Sequence, residues 1–508
     1  MRAIRRAFLF AMALAAGTAG AQTQSVTEQW AATMSRATYE DLSTEVIERV
    51  KLSLLDSIAV MLFSSQTPAA RLYLEKPLAN GGRPEAMVWG AGKRLPVETA
   101  AACNAFLVHG HEIDDTDLRS GVKISCVTAA PALAVADYLH SSGKDLILAA
   151  AIAYTVTGRL AAVTPSMQWM GYMPSGVWGP GGAAAAAAKL LGLKTEPTVW
   201  ALGLALGGGQ GSFQYWWDQT QDKKVIVARA ARIGVEAALL AQKGWRGPRR
   251  ILEGRAGVYR NLMHGYADAS ALRAPIEKGL QGLFSGGNVR VKGALLEFEP
   301  NWDALTRDFN KLDGPMYVYP KFQACSASIG PFLDALDPVW EKRSIPVSQI
   351  ERVVVGRDWP LESEFGRKVL HFEPPETVVG AQMNMNFVIS LYLHKGSASP
   401  QEFVPEVLRD PGILALARRV TIAYVPPGGK WFIKIVPRRG DPLTVSFMPD
   451  FGEEYEPLMY EARMKKFRVL TRDVLDEEGR ARLLKMVQRL DTVRDISQWT
   501  DQVHALLK

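Results

Sequence analysis

A chain of 508 residues that is 48% hydrophobic and 22% charged has apolar material for a large core and should divide into about two or more domains; general disorder is excluded. The formal net charge is +7, part of it in Arg2, Arg5 and Arg6 at the very start. The other basic residues are scattered rather than striped, which excludes a nucleic-acid partner. The cysteines, Cys103, Cys126 and Cys325, allow at most one internal disulfide and form no metal-binding pair.

Residues 1–21 read as a signal peptide: the arginines are followed by an apolar run from Ala7 to Ala16 and by Ala19-Gly20-Ala21, which fits an A-x-A cleavage site. The run is too short to span a membrane. Arg5-Arg6-Ala7-Phe8-Leu9 also resembles a twin-arginine signal, with Ile4 and Phe10 replacing the usual flanking residues. Either route gives a periplasmic or secreted protein.

From 25 to 288 the chain reads as helix. Ile47, Val50, Leu54, Ile58 and Met61 recur at helical spacing and mark one buried face. The alanine- and glycine-rich segments GKDLILAAAIAYTVTGRLAAV, GGAAAAAAKLLGL and VARAARIGVEAALLAQKG predict helices that approach closely. Between 289 and 444 the texture changes to β-branched runs, in ALLEFEP, QIERVVVGRDW and VTIAYVPPGGKWFIKIVPRRGDPLTVSFMP. Pro426-Pro427-Gly428-Gly429 reads as a turn between two strands, and a helix is expected near Ser326 to Asp337. Residues 445–508 return to helix. The fold class is therefore mainly α: an all-helical discontinuous domain (25–288 and 445–508) interrupted by an inserted α+β lid domain.

The chemistry concentrates in Asn104 to Asp137, where His109, His111, Glu112, Asp114, Asp115 and Thr116 lie between two apolar segments. So many ionisable groups are buried only if paired, and a site is the economical reading. The competing reading has Asp114 and Asp115 cap the next helix or pair with Arg119, with His109 on a packed helix face. The spacing fits no common zinc pattern, so no metal is assigned.

Taken together, LLDSIAVML, NAFLVHGHEIDDTD, PALAVAD, GKDLILAAAIAYTVTGR, GAAAAAAKLLGL, TQDKKVIVARAARIGVEAALLAQKGWRGP and YPKFQACSAS resemble, in order, the MmgE/PrpD family. Its members include 2-methylcitrate dehydratase, cis-aconitate decarboxylase and iminodisuccinate epimerase. The resemblance implies a helical domain with an α+β lid, a homodimer, no required metal or organic cofactor, and chemistry that breaks or rearranges bonds next to a carboxylate. The departures bear on mechanism. Of the family's D-x-D-D-T stretch, Asp114, Asp115 and Thr116 are retained and Glu112 replaces the opening Asp. Lys123, or with one residue of slack Val122, falls where a family histidine stands. Met173 falls at a second histidine, and Tyr317 at a lysine of the decarboxylases. Lys223 matches the family's lysine.

Chemistry beside a carboxylate needs a base for a weakly acidic α-proton, an acid for the leaving group and cations for the carboxylate. With both imidazoles missing, Lys123 and the phenols of Tyr172 and Tyr317 are the candidates for proton handling. Lys223 is the candidate anion grip, and Asp114 and Thr116 the orienting groups. A lysine near its usual pKa of about 10.4 is a base only if burial or a cationic neighbour lowers it; a solvated Lys123 is the alternative. Glu112, Asp115, Met173, Trp178, Trp216 and Trp217 are candidate substrate-binding residues, core packing being the alternative for the aromatics. Lys224 and Arg232 read as surface or dimer-contact charges, and Cys325 as a buried thiol. Met and indoles in place of imidazoles predict a drier, wider pocket for a small, poorly charged or aromatic organic substrate. Three functions follow: an exported cofactor-independent lyase of hydro-lyase type, an isomerase or epimerase of the same superfamily, or a small-molecule binding protein that has lost catalysis.

Overall fold

The computed structural model describes residues 24–117, 119–164, 167–263, 287–292, 295–342, 344–358, 371–426, 428–448 and 456–508; the leader expected at 1–21 lies outside them. The chain is mainly helical, with small sheets. Local chemistry sets several helix starts. Ser25 and Ser142 form capping boxes with Glu28 and Asp145, and Ser43 caps Thr44–Ser64, each satisfying an N–H that the first turn leaves unpaired. Val50, Leu54, Ile58 and Met61 of Thr44–Ser64 are buried, and Ile47 packs partly buried against them.

Small residues bring the central helices together. Ala183 to Ala188 are completely buried in Pro174–Leu190. A Cβ added at Gly234, in Asp222–Gln242, would stand 2.4 Å from the Ala183 Cβ, so only glycine allows this approach. Gly143–Ala162 is long and apolar enough to cross a bilayer by length and composition, but it packs in the interior, and its Arg159 donates to the carbonyls of Ala304 and Leu305 at 3.3 Å.

Two features depart from the wholly helical reading of the first half. Ala86–Val88 and Lys93–Leu95 form an antiparallel ribbon, held by the Asn104 amide between Met87 O and Trp89 N–H. Thr116–Asp117 pairs antiparallel with Val318–Tyr319. These strands are too short to show alternation.

The later β region contains a four-stranded sheet in the order Leu443–Phe447, Trp431–Pro437, Ile350–Arg357, Val420–Tyr424. Trp431, Ile433, Ile435 and Pro437 alternate inward. The turn after Tyr424 does not close a hairpin. Val420–Tyr424 runs parallel to Ile350–Arg357 on one side, and Trp431–Pro437 runs antiparallel to it on the other, so the connection passes across the middle strand. The helix expected at 326–337 forms at Gly330–Trp340. The C-terminal helices lie against the first half: Lys466 pairs with Asp56 at 2.7 Å and Arg94 with Asp501 at 2.8 Å.

Candidate active site

Four chain segments converge on one loop. Val97–Val108 ends at His109, and Gly110 passes so close to Ser64 that a Cβ would meet its Oγ at 2.6 Å. Glu112 then takes a left-handed φ of 55°, a conformation disfavoured outside glycine and typical of functional sites held by their surroundings. Beyond Thr116–Asp117 the chain turns back, Asp117 N–H donating to Val122 O at 2.9 Å, and an isolated bridge sets Lys123 beside Thr116. Lys223 enters from the first turn of Asp222–Gln242. Lys321 follows the strand paired with Thr116–Asp117.

The Glu112 carboxylate is the hub. Lys223 Nζ lies 2.5 Å from its Oε1, His109 Nε2 3.3 Å from the same oxygen, and Lys321 Nζ 3.6 Å from Oε2. Asp114 repeats the pattern, with His109 Nδ1 at 2.8 Å and Lys321 at 3.7 Å. Lys321 also donates to Cys325 O at 3.2 Å, and Lys123 to Thr116 Oγ1 at 3.0 Å.

All of these groups except Lys123 are buried; Lys123 is partly exposed. Burial would raise the carboxyl of Glu112, but Lys223, Lys321 and His109 outweigh it and hold the group well below the usual range. Asp114 is lowered in the same way, by His109 and Lys321 against its burial. Burial, reinforced by Lys321, brings Lys123 down to about 7. Burial also lowers Lys223, with Glu112 opposing it. Two carboxylates beside His109 do not offset its desolvation, so the imidazole favours its neutral form.

Among the residues singled out from the sequence, the structure brings together Glu112, Asp114, Thr116, Lys123 and Lys223. Others lie elsewhere. Asp115 turns inward to Ser125, whose N–H donates to it at 3.0 Å and whose hydroxyl links it to Tyr154, which places it in an internal network rather than against a substrate. Trp178 is fully buried; its indole donates to Thr164 Oγ1 at 3.0 Å and its ring packs on Tyr259, so core packing accounts for it. Met173 is the buried residue preceding Pro174–Leu190. Tyr172 is tied to Ser212 by an isolated backbone bridge, and Tyr317 is 37% exposed beneath the Arg119 guanidinium, 3.8 Å from the ring centroid; neither phenol has a bond to the cluster.

Three members were missed or misplaced. His109 belongs to the ionic cluster rather than to a packed face. Lys224 is 3% exposed and not a surface charge; burial lowers it to about 8. Lys321 was not singled out; its place beside Glu112 and Asp114 follows from the pairing of Val318–Tyr319 with Thr116–Asp117. Cys103, Cys126 and Cys325 are free and buried.

Beside the cluster lies a small, open cleft of ≈ 50 Å³ lined by Tyr215, Trp216, Gln219, His371, Val379, Gly380, Met383, Asn384, Met385 and Asn386. Lys223 Nζ stands 5.2 Å from the Tyr215 ring centroid, so one aromatic side chain separates cluster from cleft. Trp217 packs edge-on to Trp216 at 4.9 Å. The polar lining is largely committed: Asn386 donates to Ala417 O and Val420 O, Asn384 bonds Phe387 N–H and Glu373 O, and Gln219 accepts from Glu376 N–H. What remains to face a ligand is aromatic and thioether surface with the His371 imidazole beside it.

His109, Asp114 and Cys126 present possible ligand atoms within 4.8 Å of one another. They fit a divalent cation poorly. His109 and Asp114 already engage each other, burial holds the Cys126 thiol well above its usual range, and Lys321 stands beside Asp114.

Residues 28–269 match the MmgE/PrpD N-terminal domain and residues 324–492 the MmgE/PrpD C-terminal domain. The chain belongs to the MmgE/PrpD family. Relatives include the cis-aconitate decarboxylase-like protein oryM of Aspergillus oryzae, 25% identical over 90% of this chain and 93% of that protein. The cis-aconitate decarboxylase of Homo sapiens is 25% identical over 94% of each chain, and that of Aspergillus terreus 23% identical over 94% of this chain and 95% of its own.

Proposed function

We propose that the protein is an exported, cofactor-independent lyase that acts next to a carboxylate or carbonyl of a small organic acid. The observation that carries this reading is the arrangement of Lys223, Lys321 and Lys123 around Glu112: the first two are neutralised by carboxylates, and the Lys123 amine is bonded to the Thr116 hydroxyl. Lys223 and Lys321 supply the cationic grip for a substrate anion. Lys123, held near neutrality, removes or returns a proton, while His109 and Asp114 fix the hub. The cis-aconitate decarboxylase relatives support lyase chemistry. The cleft beside Tyr215 favours a substrate with an apolar or aromatic portion. The leader supports a periplasmic or secreted location, the α+β segment from 289 to 444 is read as a lid over the cleft, and the working unit is taken to be a homodimer.

Thermal-shift screening of the purified protein against small unsaturated, tricarboxylic and aromatic acids tests this. Stabilisation by an acid with an apolar portion, followed by product formation, supports it. Stabilisation by citrate or aconitate alone overturns the substrate class, and deuterium uptake from heavy water with no leaving group lost would instead make the protein an isomerase.

A further inference from the structure

Lys123 differs from Lys223 and Lys321 in three ways. Among the described residues it has no carboxylate in ion-pair contact: Lys223 stands 2.5 Å from Glu112 and Lys321 is shared by Glu112 and Asp114, whereas Lys123 donates to Thr116 Oγ1. It is partly exposed, while Lys223 and Lys321 are 2% and 0% exposed. Its backbone is clamped on both sides by one hydroxyl, Ser175 Oγ, which accepts from Lys123 N–H at 3.0 Å and donates to Lys123 O at 2.9 Å. This is a fixed, desolvated amine beside the ammonium groups of Lys223 and Lys321, on a residue that keeps some exposure. Nearby ammonium groups and desolvation are what make a lysine nucleophilic toward carbonyls.

We propose that Lys123 forms a covalent imine with a 3-oxo carboxylic acid and that the protein decarboxylates its substrate through that imine. The proposal rests on the lyase reading, replaces proton transfer by Lys123 with attack through its nitrogen, and gives that reading a substrate class. The Nζ lone pair forms a C–N bond to the ketone carbon. The carbonyl oxygen leaves as water, taking one proton from the amine and one from the enclosure, and a protonated imine remains. Cleavage of the bond to the carboxylate carbon releases carbon dioxide. Its electron pair forms the C–C double bond of an enamine and neutralises the nitrogen. The enamine carbon then takes up a proton, and water adds to the imine carbon and frees both ketone and amine. A 2-oxo acid does not suit this chemistry, because the electrons of its breaking bond would land on the imine carbon itself. The rest of the substrate would lie toward Tyr215, Trp216 and Met383, one ring from the cluster.

The test uses the mature full chain with acetoacetate and benzoylacetate, with and without sodium borohydride, read by intact mass, peptide mapping and carbon dioxide release. Cis-aconitate and other non-oxo acids are assayed for cleavage in parallel. The expected result is a reduced adduct equal in mass to the oxo acid, or to its decarboxylated ketone, less one oxygen atom. It should map to Lys123, be absent from Lys123→Arg, and appear with loss of decarboxylation. Mapping on the unmutated chain keeps the result independent of whether the variant folds. Decarboxylation of a 3-oxo acid without an adduct overturns the imine and leaves the lyase reading standing, as does cleavage of non-oxo acids alone. An adduct on Lys223 or Lys321 overturns the assignment to Lys123. Failure to turn over any acid, without an adduct, removes both readings.

Discussion

Lys223 and Glu112 form a 2.5 Å ion pair with both side chains almost wholly removed from solvent. One partner sits in the first turn of a helix and the other in a left-handed loop position. The ion pair, with Lys321 and His109 around the same carboxylate, offsets the desolvation that would otherwise expel the charge. Glu112→Gln should leave the buried Lys223 ammonium without its carboxylate, with Lys321 held by Asp114 alone, and destabilise the protein by about 3–5 kcal/mol. Urea unfolding of the single variants and of Glu112→Gln with Lys223→Gln checks this. The double variant should recover part of the loss, because the residues act as a pair; strict additivity would contradict the coupling.

Lys123 sits at about 7 in the folded protein, against an ordinary 10.5. If its neutral amine does the chemistry, kcat/KM should rise with pH through about 7 and level off above it. Linkage gives a separate sign. The folded protein binds this proton less tightly than the unfolded chain, so the contribution to stability is lost as pH falls toward 7 and grows between about 7 and 10.5. Lys123→Met should flatten that part of the stability profile relative to the parent. An unchanged slope would place the ammonium in bulk water.

Asp115 behaves in the opposite sense. Burial, with Asp56 and Asp114 adding repulsion, lifts its carboxyl to about 7 from an ordinary 3.8. A raised folded value means that its contribution is fully present below about 3.8 and disappears as pH rises through about 7. Asp115→Asn keeps an acceptor for Ser125 N–H and removes the titration. Its stability relative to the parent should therefore improve by on the order of 3 kcal/mol between pH 4.5 and pH 8, measured as urea midpoints. Catalytic constants should move less than with Lys123→Met, since Asp115 faces Ser125 and Tyr154 rather than the amines.

How much of this could be read from the chain depends on the range of the signal. The buried stripe of Thr44–Ser64, the alanine-rich helices and the strand-rich later segment are local patterns, and the sequence shows them. Glu112, Asp114 and Thr116 were legible because several ionisable groups in an apolar setting demand partners, and Lys223 because it opens a helix in a segment that resembles the family's. Lys321 was not, because its place depends on Val318–Tyr319 pairing with Thr116–Asp117. Two-residue strands far apart in sequence leave no periodicity. Lys224 follows Lys223 directly, and nothing in its own neighbours reveals that a helix start is buried on more than one side. The crossing of the sheet after Tyr424 is likewise a matter of which edge each strand joins, which a turn composition does not specify.

The tryptophans Trp178 and Trp216 were grouped by their chemistry, and the structure gives them different settings. Trp178 has no exposure, donates to Thr164 and packs on Tyr259. Trp216 lines the cleft beside Tyr215 and stacks on Phe213 at 6.1 Å. Trp178→Ala should therefore cost about 3–5 kcal/mol through lost burial and an unfilled cavity, with ligand affinity per folded molecule little changed. Trp216→Ala should cost less stability and weaken binding of an aromatic acid by roughly tenfold, the scale of losing about 1.4 kcal/mol of contact. Thermal melts and titration calorimetry on both variants decide it. If Trp216→Ala binds aromatic and small aliphatic acids with unchanged affinity, the cleft is not where the apolar part of the substrate lies, and the lysine cluster must be reached from another side.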